Sequence, residues 1–419
     1  MVRWKAGIAS GALILLSVFV PTSFAPTASA TATATAAAAA EPDQPPTPKP
    51  TLTKECGTDL TQEAAALAGD GKTGNATCIR KQTRKPGDAK TSKSSKGADA
   101  QLAADICGGQ ATISRSANCV IEDGILLIFT VPNGVVIGSI QYTVSSLTTL
   151  DYASLRWSQS WHYQANTVAG PAIPPVLDTL IYAEPQCLAN CTVSSSGLVG
   201  GSALPGRTHS ATTYFQTPLS SSSWQAHGGI RYWFYNAAWV NTSSNASITT
   251  PAVHRCDNVL TGYPSGCVYN SVLPVHDVLS YRYPMYARHL SLAINHYKMK
   301  SILTRTQDEN LMDRNYARSC RENVPNPMPP GSCDEYPFKS TREGAYSQPY
   351  GRTIFILNIN GNSFSCGATW LPVRAPNDSG GYSICMIPLS ENLLGGSDLS
   401  AFYYKSRVIE GDQFQVRVI

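Results

Sequence analysis

Ile125-Leu126-Leu127-Ile128-Phe129-Thr130-Val131, then Pro132-Asn133-Gly134, then Val135-Val136-Ile137-Gly138-Ser139-Ile140-Gln141-Tyr142-Thr143-Val144, is a pair of β-rich runs joined by a turn. Branched and aromatic side chains suit a pleated surface, and a short turn containing Asn-Gly closes an antiparallel hairpin. The pattern extends in the C-terminal direction. Leu155, Trp157, Trp161 and Tyr163 alternate along another stretch, with polar Gln159 the exception, and Tyr232-Trp233-Phe234-Tyr235 and residues 237–240 add aromatic strands. Ser/Gly-rich turns separate these runs. Residues 120–279 contain no lysine, and their only basic residues are Arg156, Arg207, Arg231 and Arg255. Many short strands with polar turns and few charges predict an all-β, sandwich-like region. Its aromatics either fill the core or offer a platform for carbohydrate.

On the N-terminal side the composition changes. Arg3 and Lys5 precede an apolar run over residues 8–20, and Ala28-Ser29-Ala30 follows, so residues 1–30 read as a secretory signal peptide. The run is shorter than the roughly 20 residues that a bilayer span needs. Residues 31–54 are Ala/Thr- and then Pro-rich, a linker composition that buries no core. Residues 55–119 form a basic, partly disordered region with Ala-rich stretches near Ala64 and Ala103. Between those stretches a basic run over residues 72–96 carries Lys72, Arg80, Lys81, Arg84, Lys85, Lys90, Lys93 and Lys96 against Asp88 alone. That run is a solvated loop, an arm for polyanions, or a processing site.

With 419 residues the chain is expected to hold more than one unit. A net charge of +4 does not by itself announce a nucleic-acid binder. The 12 cysteines fit export to an oxidising compartment. Sequential pairing (Cys187–Cys191, Cys256–Cys267, Cys320–Cys333, Cys366–Cys385) is one connectivity. His254, Cys256, Cys267 and His276 fit no common zinc spacing.

Residues 280–419 regain charge and mix periodicities, predicting a small α+β unit. Tyr286, Leu290, Ala293, Ile294 and Tyr297 recur at helical spacing over residues 285–299, and a second helix is expected over residues 309–318. Residues 354–359 read as a strand. Ser397 is a candidate N-cap for a helix presenting Leu399, Phe402 and Tyr403. Val408-Ile409, a Glu410-Gly411-Asp412 turn and residues 414–419 suggest a closing hairpin.

Within this part stands Cys333-Asp334-Glu335-Tyr336-Pro337-Phe338-Lys339-Ser340-Thr341-Arg342-Glu343-Gly344. Carboxylates this close repel one another, and a metal or a basic side chain relieves that. The stretch resembles the signature of the NucA/NucB family of bacterial secreted deoxyribonucleases. Ala287-Arg288-His289, Leu303-Thr304-Arg305, Arg314-Asn315 and Cys320 upstream also resemble it. So do Asn392, Gly395 or Gly396, Leu399, Phe402-Tyr403, Arg407 and Gly411-Asp412-Gln413-Phe414 downstream. Ala345 stands where the family has a second glycine, and Lys339 where it has a small residue. The resemblance covers about a third of the chain, residues 280–419.

It implies a secreted, extracellular, metal-dependent endonuclease that hydrolyses phosphodiester bonds of DNA with little sequence specificity. DNA is the implied partner, together with a protein inhibitor in the producing cell. Such hydrolysis needs a delivered water, charge neutralisation at phosphorus and a stabilised leaving oxygen. A hard divalent cation, Mg²⁺ or Mn²⁺, meets the last two needs and takes oxygen ligands. The expected catalytic residues are Asp334, Glu335 and Glu343, with Asp334 as the base for water. In many metal-dependent nucleases a histidine has that role, and the resemblance implies an acidic residue instead. Glu343 and Asn392 are expected at the metal. Glu335 is either a further ligand or an orienter of a basic residue. Arg288, Arg314 and Arg342 are candidates for gripping phosphate. The alternatives are structural: Asp334 and Glu335 as caps or surface ion pairs, Asn392 as a turn residue, Arg288 and Arg342 in salt bridges, His289 as a core residue. The rival from another class is a non-enzymatic cell-wall or polysaccharide-binding secreted protein with an inactive nuclease-like unit.

Overall fold

The hairpin forms, and a sheet grows from it. In the computed structural model Ala117–Val131 pairs antiparallel with Val136–Thr149. The antiparallel order runs Gly74–Thr83, Ala117–Val131, Val136–Thr149, Arg156–Ala169, Thr208–Gln216, Thr192–Ser195, with Thr112–Ile113 pairing alongside Ala117–Val131. The structure describes residues 56, 59–83, 85, 106–195, 199–218, 222–240, 244–249, 252–322, 331–353, 356–357, 363–364 and 380–419. The expected signal peptide, the linker, Arg84, Lys90, Lys93 and Lys96 of the basic run, and Ala103 lie outside them. Gly74–Thr83, which carries Arg80 and Lys81 of that run, is an edge strand of this sheet.

A second sheet has the order Gly266–Val268, His254–Asp257, Ser223–Tyr235, Leu180–Ala189, Val199–Ser202, with Ser244–Thr249 pairing alongside Ser223–Tyr235. Alternation aims Ile140, Tyr142, Trp161 and Tyr163 of the first sheet at Ile181, Ala183, Ile230, Tyr232 and Phe234 of the second, in one buried cluster. Each such side chain taken out of water contributes about 1.5–3 kcal/mol. The middle of the chain is therefore all-β, as its sequence predicts. Gln159 keeps its inward place by donating to Ser146 Oγ at 2.6 Å.

The last part carries most of the helix among the described residues. Pro284–Ser291 is α-helical and continues as a π-helical turn, Leu292–His296, while Glu309–Tyr316 continues as a π-helical turn, Ala317–Arg321. Both helices fall where periodicity predicts them. Pro284 sits in the first turn, where a missing N–H leaves nothing unsatisfied. Two small sheets flank them. Gln413–Val418 lies between Val275–Val278, parallel, and Ile302–Thr304, antiparallel. Tyr382–Pro388 lies between Gly331–Tyr336, antiparallel, and Gly351–Thr353, parallel. Tyr286, Leu290, Leu303, Tyr336, Leu399, Tyr403 and Phe414 share one core.

Two local expectations fail here. Ser397 does not start a helix; it lies inside Leu389–Lys405, whose N-cap is Pro388. Gly395 is buried because the helix meets Tyr286 there, and an added Cβ would stand 2.8 Å from that ring. The closing hairpin is absent, since the final strand pairs with Ile302–Thr304 and Val275–Val278. Of the strand expected over residues 354–359, Ile356–Leu357 is described and pairs with Ser363–Phe364.

Disulfides join Cys56–Cys78, Cys107–Cys119, Cys187–Cys191, Cys256–Cys267 and Cys320–Cys333. Cys385 is also disulfide-bonded, and Cys366 lies outside the described residues. No helix among the described residues is long and apolar enough to cross a membrane.

Candidate active site

Gly331–Tyr336 is an edge strand: one side pairs with Tyr382–Pro388, and the other lines a cleft of about 850 Å³. Asp334 and Glu335 lie on that strand. The helix Leu389–Lys405 forms a facing wall with Asn392, Leu393 and Tyr403, and Arg305, Arg321 and Lys339 complete the lining. The Cys320–Cys333 disulfide ties the strand to the π-helical turn Ala317–Arg321.

Alternation sends Asp334 inward, beside Tyr336, and it is only 4 % exposed. Its Oδ2 accepts from His289 Nδ1 at 2.5 Å, and His289 Nε2 lies 2.9 Å from Ser383 Oγ. Ser383 Oγ can also donate to Tyr336 O at 3.4 Å. The imidazole is therefore satisfied in both charge states. When charged, Nε2–H donates to Ser383 Oγ; when neutral, the serine hydroxyl donates to Nε2. Burial pushes the Asp334 carboxyl above its ordinary value, and His289 opposes part of that rise. The order serine–histidine–aspartate superficially matches a nucleophilic hydrolase. Ser383, however, is fully buried and does not line the cleft, so the group presented to a substrate is the carboxylate.

Glu335 points the other way and is half-buried. Burial first, and the Asp334 charge second, push it up to about 7. Its Oε1 accepts from the Lys339 amide at 3.3 Å. Its Oε2 lies 3.6 Å from Cys320 Sγ, a disulfide sulfur with no proton to give. Asn392 donates Nδ2 to Ser332 Oγ and Cys333 O at 2.9 and 3.0 Å. Its amide oxygen meets no protein donor among the described residues. Both oxygens belong to residues that line the cleft, and donors of this kind suit a hard divalent cation.

The remaining expected residues lie elsewhere. Glu343 does not line the cleft; it accepts from Thr304 N at 2.8 Å and Thr304 Oγ1 at 2.9 Å. Its loop is fixed by Asn315, which donates to Lys339 O and Thr341 O and accepts from the Tyr346 amide. Gly344 fits there because a Cβ would stand 2.3 Å from the Asn315 side chain. Arg342 is exposed and paired with Glu410 at 2.8 Å. Arg314 lies over the Tyr346 ring at 4.5 Å, lining a separate surface pocket, and Arg288 is exposed on its helix. None of these three arginines lines the cleft.

Of the cations that do, Arg305, Arg321 and Lys339, charge reasoning passed over Arg305 in particular. It lies 4.0 Å over the Tyr403 ring, its Nε has no partner, and its Nη1 makes one long contact, 3.4 Å, to Ser340 O. No carboxylate among the described residues pairs with it. Its only signal in the sequence is its place in Leu303-Thr304-Arg305.

Among the described residues the one group of three His, Cys, Asp or Glu side chains close enough for a shared ion is His254, Cys256 and Cys267. Cys256 and Cys267 are joined to each other, so no thiolate is offered and zinc is excluded there.

Residues 290–369 match the family model of deoxyribonuclease NucA/NucB, the family that the motif around Asp334 resembles. The matched span contains Asp334, Glu335, Glu343 and Arg305, and it begins one residue after His289. No curated protein matches the chain.

Proposed function

We propose that the protein is an exported, metal-dependent endonuclease that hydrolyses DNA phosphodiesters with little sequence preference. The observation that carries this reading is the buried Asp334 carboxylate backed by His289, opening into the same cleft as the unengaged oxygens of Glu335 and Asn392 and the unpaired Arg305. The family match supports it. In this reading residues 1–30 are removed on export, residues 280–419 are the catalytic α+β unit, and residues 120–279 are a β-rich unit packed beside it. DNA is the substrate, and a producing cell would carry a protein inhibitor.

Asp334 takes the proton from the attacking water. A carboxyl raised above its ordinary value is a better base than a free one. His289 holds the carboxylate in place and keeps its charge compensated in a dry setting. Arg305 and Lys339, which line the same cleft, meet phosphate oxygens. Glu335, with the amide oxygen of Asn392, would hold Mg²⁺ or Mn²⁺. When bound, such a cation supplies charge neutralisation at the phosphoryl group and the leaving oxygen. Glu343 shapes the wall through Thr304 and stands behind this set as a supporting residue.

The glycan-binding alternative has no comparable support. Of the aromatics it would use, Trp157, Trp161, Tyr163, Tyr232, Trp233 and Phe234 are buried, and Tyr235 is half-buried. Incubation of the mature chain with supercoiled plasmid and Mg²⁺ or Mn²⁺ tests the proposal. Nicking that EDTA abolishes supports it; an intact plasmid in every metal condition overturns it.

A further inference from the structure

Beyond the cleft, a buried charge network joins the β-rich part to the C-terminal part. Arg255, on the strand His254–Asp257, donates Nε to Asp257 at 3.0 Å and both terminal nitrogens to Asp412 at 2.8 and 2.9 Å. Arg115 donates to Asp412 at 3.2 Å and to Ser406 O at 2.8 Å. Both arginines also cap the Arg407 carbonyl, at 2.7 and 3.1 Å. Arg407 itself is fully buried and runs the other way, bonding Asp257, Tyr152 O and Pro264 O. Its φ of +44° is a left-handed conformation that a non-glycine residue adopts only where its surroundings hold it. The turn after it is thus gripped from the β-rich side.

That turn touches the cleft. Arg305 N–H donates to Asp412 O at 2.8 Å, and Gly411 N–H donates to Arg305 O at 3.0 Å. The backbone of Arg305 is pinned on both sides to the residues that Arg255 and Arg115 hold. Among the described residues the Arg305 side chain has no carboxylate to fix it, so its aim depends on its backbone, on Tyr403 and on the long contact to Ser340 O.

We infer that the β-rich region is a positioning element for the cleft: through Arg255 and Asp412 it sets where Arg305 presents its guanidinium to a phosphate. This rests on the nuclease reading for the role of Arg305. It adds that Arg255 and Asp412, neither of which lines the cleft, are positioning residues, and that the β-rich region acts through them. Buried ion pairs are well suited to this use, because breaking one leaves its partner uncompensated and the arrangement has few alternatives.

The test uses the full mature chain. Binding of a fluorescent DNA duplex is measured by anisotropy in EDTA, and cleavage is measured with Mn²⁺, for wild type, Arg255→Met, Asp412→Asn, Arg305→Ala and the double variants with Arg305→Ala. Asp412→Asn keeps the shape of the turn and carries the test if Arg255→Met fails to fold. The expected result is about tenfold weaker DNA binding and a raised KM with kcat little changed in each single variant. In the Arg305→Ala background the added effect of Asp412→Asn or Arg255→Met disappears, and Arg255→Lys restores part of the binding. Full additivity with Arg305→Ala, or unchanged binding in a folded Asp412→Asn protein, overturns the inference. Because binding is read without metal, a chain that binds DNA in this pattern but never cuts it would sink the nuclease reading while leaving the positioning role standing.

Discussion

His289 Nδ1 stands 2.5 Å from Asp334 Oδ2, and the two residues are 45 apart in sequence. One comes from a helix and the other from a strand that share one core, and both are almost wholly out of water. A carboxylate so placed needs its partner for stability as well as for reactivity.

Replacing His289 by Gln is therefore expected to act on both. Cleavage falls about 10- to 100-fold, as for other residues that orient a reactive group. Stability falls by about 3–5 kcal/mol, because Asp334 is left buried and uncompensated. Steady-state kinetics and urea titration on one preparation check the pair of effects. An unchanged rate in a protein of unchanged stability would show that the contact is incidental.

Metal affinity separates the oxygens that face the cleft from those that do not. Glu335→Gln and Asn392→Ala are expected to weaken Mn²⁺ binding by about tenfold or more, read by calorimetry on the full chain. Glu343→Gln is expected to leave it within about twofold. The reverse ranking would return the ion to Glu343, where sequence reasoning first placed it.

Glu343 has a different expected signature. Its carboxylate satisfies the amide and hydroxyl of Thr304. Glu343→Ala leaves both half-buried groups without this partner, at up to about 1 kcal/mol each. A lowered Tm with retained Mn²⁺ binding is the expected outcome. A normal Tm with abolished binding would contradict it.

Acid stability follows from two histidines outside the cleft. Burial holds His254 near 3 and His276 near 4, both below the ordinary 6.5. Both are neutral in the folded chain at pH values where the unfolded chain takes up protons. Their contribution is whole above pH 6.5 and is lost as pH falls through the folded values, at about 1.4 kcal/mol per pH unit for each group. Neither ring nitrogen of His254 has a partner, and the ring packs against Trp157 and Tyr269. His254→Phe is thus expected to flatten the loss between pH 6 and pH 4 in urea titrations. A variant as acid-sensitive as the wild type would refute this assignment.

The all-β middle was legible because its signal is local: Ile125 to Val144 announces two strands and their turn within one stretch. Asp334 and Glu335 were legible for the same reason, as adjacent residues of one motif. His289 was not, because its role depends on a strand and a helix that only the folded core brings together. Arg305 was hidden among many arginines. What distinguishes it is the absence of a paired carboxylate among the described residues, a property of packing that spacing does not carry. Ser397 misled because Gly395-Gly396 looks like a helix break, whereas Gly395 gives Tyr286 room. The final hairpin misled because the Glu410–Asp412 turn is spent on Arg342, Arg255 and Arg115 rather than on pairing its flanking strands.

The most direct test of the account is the nicking rate of Asp334→Asn at saturating Mn²⁺ against the wild-type chain. Asparagine keeps the shape and an acceptor for His289 but cannot take a proton from water. The expected loss is about 10²- to 10⁴-fold in a protein that still folds and binds DNA. A variant that nicks plasmid at the wild-type rate would contradict the claim that this buried carboxylate is the base.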